Sequence, residues 1–296
     1  MVTRGFPVSG RATNLFRRGL SDDLLDALLD GPCATVLRAC VNVGLDVRLR
    51  ANAVNLYFRG RSMARIVGGS RVPHRLEIHL KYVVKDRIGE FAGRLRGSYL
   101  VFEVNAGFAD AYAAELPALM RKARKHVGHE ENVESCLLQR NDGAADVCCF
   151  DRQVQVPGTR RTVDIVGLTS KNEPVLVAIE VKRFPDNRIQ HVPAQLHEYL
   201  EILDPDRQGL RDDVAEAYST VCEQLRHLDR PAPDPGRITP GMSVRGLVIV
   251  SGYNPSSDLL PRAHRLAAKL ERPIYLWEPA SREFAIPPPV RWRQMG

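Results

Sequence analysis

The spacing of hydrophobic and polar positions changes twice along the first part of the chain. Leucines at helical spacing follow Ser21, which is a residue type suited to capping a helix, and Pro32 predicts the start of a second helix over residues 32–42. From residue 43 to residue 84 apolar and polar positions alternate, which predicts an antiparallel meander of about four strands with one face exposed to water. A further strand is predicted over residues 98–104.

The middle of the chain returns to helical spacing. Two helices are predicted, over residues 109–115 and 117–127, with Pro117 separating them. The change of pattern in this region predicts two domains, an N-terminal domain of residues 1–118 with the antiparallel sheet and a C-terminal domain of residues 119–296.

The second half alternates helical spacing with short apolar runs, which predicts helices that alternate with strands. The fold class expected for the whole chain is therefore α+β or α/β. The predicted helices cover residues 130–140, 192–203, 210–228 and 259–270, the predicted strands cover 146–156, 162–168, 174–182, 244–251 and 273–277, and residues 285–296 are expected to form an extended tail.

Composition narrows the class of protein. The 296 residues are 44% hydrophobic and 26% charged, which is ordinary for a globular protein. No apolar run is long enough for a membrane span, so we expect a cytoplasmic protein with no membrane partner. None of the six cysteines forms a Cys-x-x-Cys pair, which favours buried reduced thiols over a zinc or iron–sulfur site.

Charge is distributed unevenly. The net charge is +7, with +10 in residues 1–128 and −3 in residues 129–296. A basic first part beside a second part with carboxylates suggests a polyanion that is held by one and cut by the other. The candidate nucleic-acid contacts are Arg48, Arg50, Arg59 and Arg61 on the exposed face of the meander and Arg188 after the central hairpin. The alternative is that these arginines only keep the surface soluble.

The candidate chemistry lies in the hairpin over residues 162–182. A turn centred near Asn172 places Asp164 opposite Glu180, and the alternation of side chains puts Lys182 on the same face. Two carboxylates about 5 Å apart repel by roughly 3 kcal/mol at an effective dielectric constant near 20. Such a pair requires a shared proton or a cation, and oxygen ligands suit Mg²⁺ or Mn²⁺. Lys182 is then placed to orient or deprotonate a water, or to stabilise charge on a phosphate.

The order of elements over residues 129–280 resembles the PD-(D/E)XK nuclease superfamily. Gln195 and Tyr199, four residues apart on the helix after the hairpin, are similar to the Gln-x-x-x-Tyr helix of its RecB-like branch. This resemblance implies a restriction-endonuclease-like core, in which a mixed central sheet is flanked by helices, and a metal-dependent phosphodiesterase. It implies that Gln195 and Tyr199 position the attacking water or the phosphate backbone.

The resemblance also assigns roles to the hairpin residues. It implies that Asp164 and Glu180 hold Mg²⁺ or Mn²⁺, that Lys182 assists the attacking water, and that a glutamate of the first core helix helps them. We assign that glutamate to Glu134, although Glu130 and Glu131 lie one turn away.

The function expected from these features is a metal-dependent nuclease that acts on DNA, with endonuclease as the expected mode. Two alternatives stay open. One is a catalytically inactive nucleic-acid-binding or scaffold protein on the same fold, and the other is a ribonuclease. Defence and DNA repair both use this chemistry, and a homo-oligomer is compatible with the sequence.

Overall fold

The computed structural model describes residues 18–69, 73–83, 91–143, 145–155, 162–170, 173–202, 208–252, 257–279 and 284–296. Over these residues the protein is mixed α and β, with two six-stranded sheets and seven α-helices. The predicted turn centre at Asn172 lies outside the described residues. No helix within the described ranges combines the length and the apolar character that crossing a bilayer requires.

The first half begins with the two predicted helices, α1 (Asp22–Leu29) and α2 (Pro32–Asn42). The Ser21 side chain accepts a hydrogen bond from the Leu24 amide, so the predicted N-cap is confirmed. The first sheet is antiparallel throughout, in the order β1-β2-β3-β4-β6-β5. Its strands are β1 (Asp46–Arg50), β2 (Ala53–Phe58), β3 (Arg61–Val67), β4 (Arg75–His79), β5 (Arg94–Arg96) and β6 (Tyr99–Glu103).

One long helix, α3 (Ala106–Arg124), replaces the two helices predicted around Pro117. The prediction of a break was wrong, because Leu116 and Leu119 are fully buried on either side of the proline and packing stabilises a continuous helix. Phe108 and Tyr112 of the same helix belong to the core beneath the first sheet. The expected domain boundary at residue 118 therefore falls inside α3.

The second half forms a mixed sheet in the order β12-β11-β10-β9-β8-β7, in which β9, β10 and β11 are parallel and the other neighbours are antiparallel. Its strands are β7 (Val147–Gln155), β8 (Thr162–Thr169), β9 (Val175–Arg183), β10 (Ser243–Ser251), β11 (Ile274–Trp277) and β12 (Arg293–Gln294). Its helices are α4 (His129–Arg140), α5 (Val192–Ile202), α6 (Gln208–His227) and α7 (Leu259–Ala267).

The second sheet separates two hydrophobic cores, because alternate residues of its strands point to opposite faces. Val177, Ile179 and Val181 pack with α4 on one face, whereas Leu176 and Ala178 pack on the other face, against α5, α6 and α7. Glu180 and Lys182 follow Leu176 and Ala178 at alternate positions of β9, so their side chains leave the strand on the same face, the one that packs against α5. The sheet is thus buried on both sides, as strands with almost unbroken apolar sequences require.

The last residues are not a plain extended tail, which corrects the prediction for residues 285–296. Arg293 and Gln294 form β12 and pair with β11, and the Met295 amide donates to the Ile274 carbonyl at 2.8 Å. Trp292 is buried in the core on the α4 face of the sheet. A short strand at the sheet edge therefore fixes the end of the chain to the second half.

The two sheets meet along β1 and β7. Arg48 donates to the Phe150 carbonyl at 2.8 Å, and Arg50 donates to Asp151 at 2.5 Å. Arg50 also donates to the Arg152 carbonyl at 2.6 Å. The expectation that Arg48 and Arg50 lie on a face exposed to water was wrong, because β7 covers this part of the first sheet.

Strand register defines the face to which these arginines belong. We call it the outer face of the first sheet. It carries Asp46, Arg48, Arg50, Asn55, Tyr57, Arg65, Arg75, Glu77, His79, Arg94, Arg96, Tyr99 and Glu103. Its β1–β2 half docks on β7, and we call the half formed by β3, β4, β6 and β5 the open half.

Candidate active site

The central hairpin has the register that the sequence predicted. Ile165 pairs with Ile179 and Val166 pairs with Ala178, which places Asp164 opposite Glu180. The Val181 amide donates to Asp164 Oδ2 at 2.9 Å, so the Asp164 side chain reaches across to β9. The two predicted carboxylates therefore lie side by side at one end of the hairpin.

Lys182 completes this cluster. Its Nζ donates to Glu180 Oε2 at 3.1 Å and to Asp164 Oδ2 at 3.4 Å. It also donates to Glu130 Oε1 at 3.2 Å and to the Val181 carbonyl at 2.9 Å. An ammonium group is thus held among three carboxylates, and the side chains of Asp164, Glu180 and Lys182 are all largely buried.

Gln195 and Tyr199 connect this cluster to α5. Gln195 Nε2 donates to Glu180 Oε1 at 3.0 Å and lies 3.0 Å from the Tyr199 hydroxyl. The Tyr199 hydroxyl donates to the Thr162 carbonyl at 2.6 Å, and Tyr199 is fully buried. The pair therefore orients Glu180 and ties α5 to β8. In this arrangement Gln195 contacts a carboxylate and Tyr199 contacts backbone.

Glu134 is buried and reaches the cluster through another residue. Arg152 Nη2 donates to Glu134 Oε2 at 2.6 Å. Gln153 Nε2 lies 3.2 Å from Glu134 Oε2 and 3.2 Å from Asp164 Oδ1. Glu134 thus belongs to the site, as predicted, but the helix glutamate in direct contact with Lys182 is Glu130.

Sequence reasoning missed three residues of the site, namely Glu130 as a direct contact, Arg152 and Gln153. Gln153 has a φ of 48°, a conformation uncommon outside glycine, and the register of β7 shifts between Cys149 and Asp151. This bulge brings Arg152 and Gln153 to Glu134. No feature of the sequence marks the position of the bulge. Glu130 was recognisable only as a neighbour of Glu134 one turn away on the same helix, and helical spacing does not show which of the two contacts Lys182.

Burial and mutual repulsion control the protonation of the carboxylates. Burial, followed by the charge of Asp164, raises the pKa of Glu180 to about 9. The same two causes raise the pKa of Glu134 to about 7 although Arg152 opposes them. Burial disfavours the Lys182 ammonium, but Asp164, Glu180 and Glu130 outweigh it and raise the pKa of Lys182. With every carboxylate ionised the cluster would hold more negative charge than its cations neutralise, and the raised pKa values of Glu180 and Glu134 mean that bound protons relieve this excess.

The donor atoms fit a hard divalent cation. Asp164 and Glu180 supply oxygen atoms only, and Mg²⁺ commonly takes one or two carboxylates while keeping waters and binding substrate phosphate. The Lys182 ammonium between these carboxylates shows that the position attracts positive charge. Within the described ranges no group of three or more His, Cys, Asp or Glu residues has the arrangement of a complete metal site, so any ion would depend on water or substrate ligands.

Asp164 and Lys182 of the cluster line a cleft between the two sheets with a volume of about 510 Å³, whereas Glu180 is buried behind them and does not line it. Asp164, Lys182 and Gln153 contribute to one wall of the cleft, and Tyr99 and His79 of the first sheet contribute to the other. The β2–β3 turn closes one side. A side chain at Gly60 would collide with the backbone of Glu131, and this glycine has a φ of 87°.

The remaining predicted arginines surround this cleft. Arg61 lines the cleft and forms a salt bridge of 2.6 Å with Glu131. Arg188 also lines it, is 67% exposed and lies 3.5 Å from Glu130. Arg59 is exposed at the β2–β3 turn, with its guanidinium 5.7 Å from the Phe58 ring centre. The structure therefore brings Arg61 and Arg188 to the candidate site, unlike Arg48 and Arg50.

No protein-family model, no curated protein and no solved structure matches the chain. The features of this chain that indicate a function are therefore the geometry of the cluster and the cleft that Asp164 and Lys182 line.

Proposed function

We propose that this chain is a metal-dependent nuclease that hydrolyses phosphodiester bonds, with DNA as its substrate and residues 129–280 as a PD-(D/E)XK-type core. The observation that carries the proposal is the position of Lys182 Nζ, 3.1 Å from Glu180 and 3.4 Å from Asp164, in a cleft of about 510 Å³. Strongly perturbed ionisable groups that converge in a cleft are typical of catalytic sites.

Each residue of the cluster has a separate role in the proposed hydrolysis. Asp164 and Glu180 would hold Mg²⁺ or Mn²⁺, which when bound polarises the phosphate and lowers the pKa of a water. The water oxygen bonds to phosphorus and the water releases a proton to solvent, while the ester P–O bond breaks and the departing oxygen takes up a proton from solvent, so no net proton is gained or lost. Negative charge grows on the phosphate during this step, and the Lys182 ammonium stabilises it. Gln195 keeps Glu180 oriented through its 3.0 Å hydrogen bond.

A cleavage assay with matched variants tests the proposal. Wild-type protein is expected to cut DNA with Mg²⁺ or Mn²⁺ and to stop when EDTA is added. Asp164→Asn and Lys182→Met are expected to lower the rate by on the order of 10²- to 10³-fold, because each removes charge at the reacting phosphate. Glu216→Gln, on an exposed position of α6, is the control and should cut normally. Unchanged cleavage by both Asp164→Asn and Lys182→Met would contradict the assignment of the active site to these residues.

A second candidate is a nucleic-acid-binding protein without turnover. The specific observation in its favour is that Lys182 already bonds to three carboxylates, so the cluster is partly neutralised without a metal. Salt-dependent binding of DNA with no cleavage under any divalent ion would support this candidate. A parallel RNA panel in the same assay separates a deoxyribonuclease from a ribonuclease.

A further inference from the structure

We propose that the open half of the outer face binds a single-stranded polynucleotide and that Tyr99 stacks on a base where the strand enters the cleft. This inference rests on the proposed nuclease and specifies its substrate class. The surface proposed to bind nucleic acid therefore excludes Arg48 and Arg50, which β7 covers. It lies instead on β3, β4, β6 and β5 of the same face.

The charge of the open half suits a polyanion. Arg94 and Arg96 of the edge strand β5 are exposed, and the Arg96 side chain is 70% exposed. Arg75 lies beside them in a groove of about 620 Å³ on the same sheet. Two acidic residues share this half. Glu77 is buried and paired with Arg65, and Glu103 is exposed opposite Arg75. The arginines of this half (Arg65, Arg75, Arg94 and Arg96) outnumber these two glutamates, so the surface is basic. Such a surface follows a phosphate backbone through ionic contacts.

Aromatic groups lie where this basic surface reaches the cleft. The Arg65 guanidinium carbon is 4.9 Å from the Tyr99 ring centre, and the His79 ring centre is 5.2 Å from it. Tyr99, His79 and Tyr82 all line the cleft. Tyr82 itself is fully buried, so Tyr99 and His79 are the rings of this group that a ligand in the cleft can reach. Aromatic rings beside arginines form stacking platforms for bases.

The position of the catalytic cluster favours a single strand over a continuous duplex. Asp164 is 9% exposed, Glu180 1% and Lys182 7%, so a phosphate must enter the cleft between the two sheets to reach them. In a duplex the faces of the bases are covered by their neighbours, so Tyr99 would gain no stacking contact. In a single strand the faces are accessible, and the same ring contributes to affinity.

Binding measured without metal tests this proposal separately from cleavage. Fluorescence anisotropy in EDTA would compare a short oligothymidylate, an oligouridylate and a hairpin-closed DNA duplex. Tyr99→Ala is expected to weaken binding of the single strands by about 5- to 150-fold, which corresponds to the usual loss of one stacked base. Tyr99→Phe, the matched control, keeps the ring and should keep the affinity. Binding of the duplex should be the same in both variants.

A second variant tests the basic surface without altering the cleft. Replacing Arg94 and Arg96 together by glutamine is expected to lower the slope of log affinity against log salt by about 1.4 for the single strands. Both residues are exposed, and circular dichroism would show that the fold is kept.

The outcomes separate the two proposals. The single-strand proposal is overturned if Tyr99→Ala leaves single-strand affinity unchanged or weakens duplex binding equally, or if the double arginine variant leaves the salt slope unchanged. Cleavage that disappears in Asp164→Asn would still support the nuclease in that case. A protein that binds strands through Tyr99 and cuts no substrate would support the strand-binding surface and contradict the nuclease.

Discussion

Asp151 and Glu180 are two buried carboxylates in the second sheet, each 1% exposed, and their surroundings are opposite. Asp151 lies 2.5 Å from Arg50 and 3.5 Å from Arg18, and it accepts the Arg152 amide at 2.8 Å. Burial raises its pKa, but these partners outweigh burial and lower it. Glu180 instead faces a second carboxylate, and its pKa rises to about 9.

The difference distinguishes a buried carboxylate that is neutralised within the fold from one that is not. Asp151 is matched by cations of the chain itself and fixes the first sheet to the second. The cluster around Glu180 has too few cations, and proteins tolerate such an imbalance where a ligand or reaction requires it. Three substitutions test this distinction.

The largest expected effect is on stability and comes from Asp151→Asn. Removing this charge leaves the Arg50 and Arg18 guanidinium groups without their carboxylate, and breaking one side of a buried ion pair costs about 3–5 kcal/mol. Chemical denaturation should show this loss of unfolding free energy. A loss below about 1 kcal/mol would mean that Asp151 does not hold the two sheets together.

Glu180→Gln should act in the opposite direction in metal-free buffer. The pKa of Glu180 is about 9 in the folded protein, compared with 4.5 for an ordinary glutamate, so ionisation disfavours the folded state. The cost is absent below pH 4.5 and grows as pH rises towards 9. The variant should therefore gain stability over wild type across that interval, as measured by denaturation at several pH values. If the variant is less stable than wild type over the whole of that pH interval, the claim that ionised Glu180 destabilises the folded protein is contradicted.

Gln153→Leu should have the smallest effect, and on activity only. The variant keeps a side chain of similar size but removes the link between Asp164 and Glu134, and loss of a residue that orients a metal ligand typically costs about 10- to 100-fold. Measured rates should fall by that factor while the denaturation midpoint is kept. Gln155→Leu, on the same strand, is the control. An equal loss of cleavage rate in both variants would mean that Gln153 has only a structural role.

The hairpin was the part of the site that sequence could predict. Alternating apolar residues fix which face each side chain occupies, so a turn near Asn172 was enough to place Asp164 opposite Glu180. The helix with Gln195 and Tyr199 could be predicted for a similar reason, because residues four apart share one face of a helix. Local periodicity determined both, and the structure confirms both placements.

The predictions that were wrong concern features that depend on contacts between residues far apart in the sequence. Arg48 and Arg50 carry the alternation of a sheet face exposed to water, and only the docking of β7 covers them. Pro117 is a helix breaker in isolation, and the packing of α3 overrides it. Gln153 depends on a strand bulge. In each case the interaction that determines the structure joins segments far apart in the sequence, so the local pattern of residues could not predict it.

Calorimetric titration of Mn²⁺ into the metal-free protein tests the central claim most directly, because it needs neither substrate nor turnover. The wild-type protein is expected to bind the ion, and Asp164→Asn and Glu180→Gln are each expected to weaken binding strongly, while the exposed Glu216→Gln variant binds normally. Equal binding in all four proteins, or no binding by the wild type, would contradict the claim that the Asp164–Glu180–Lys182 cluster is a metal-dependent catalytic site.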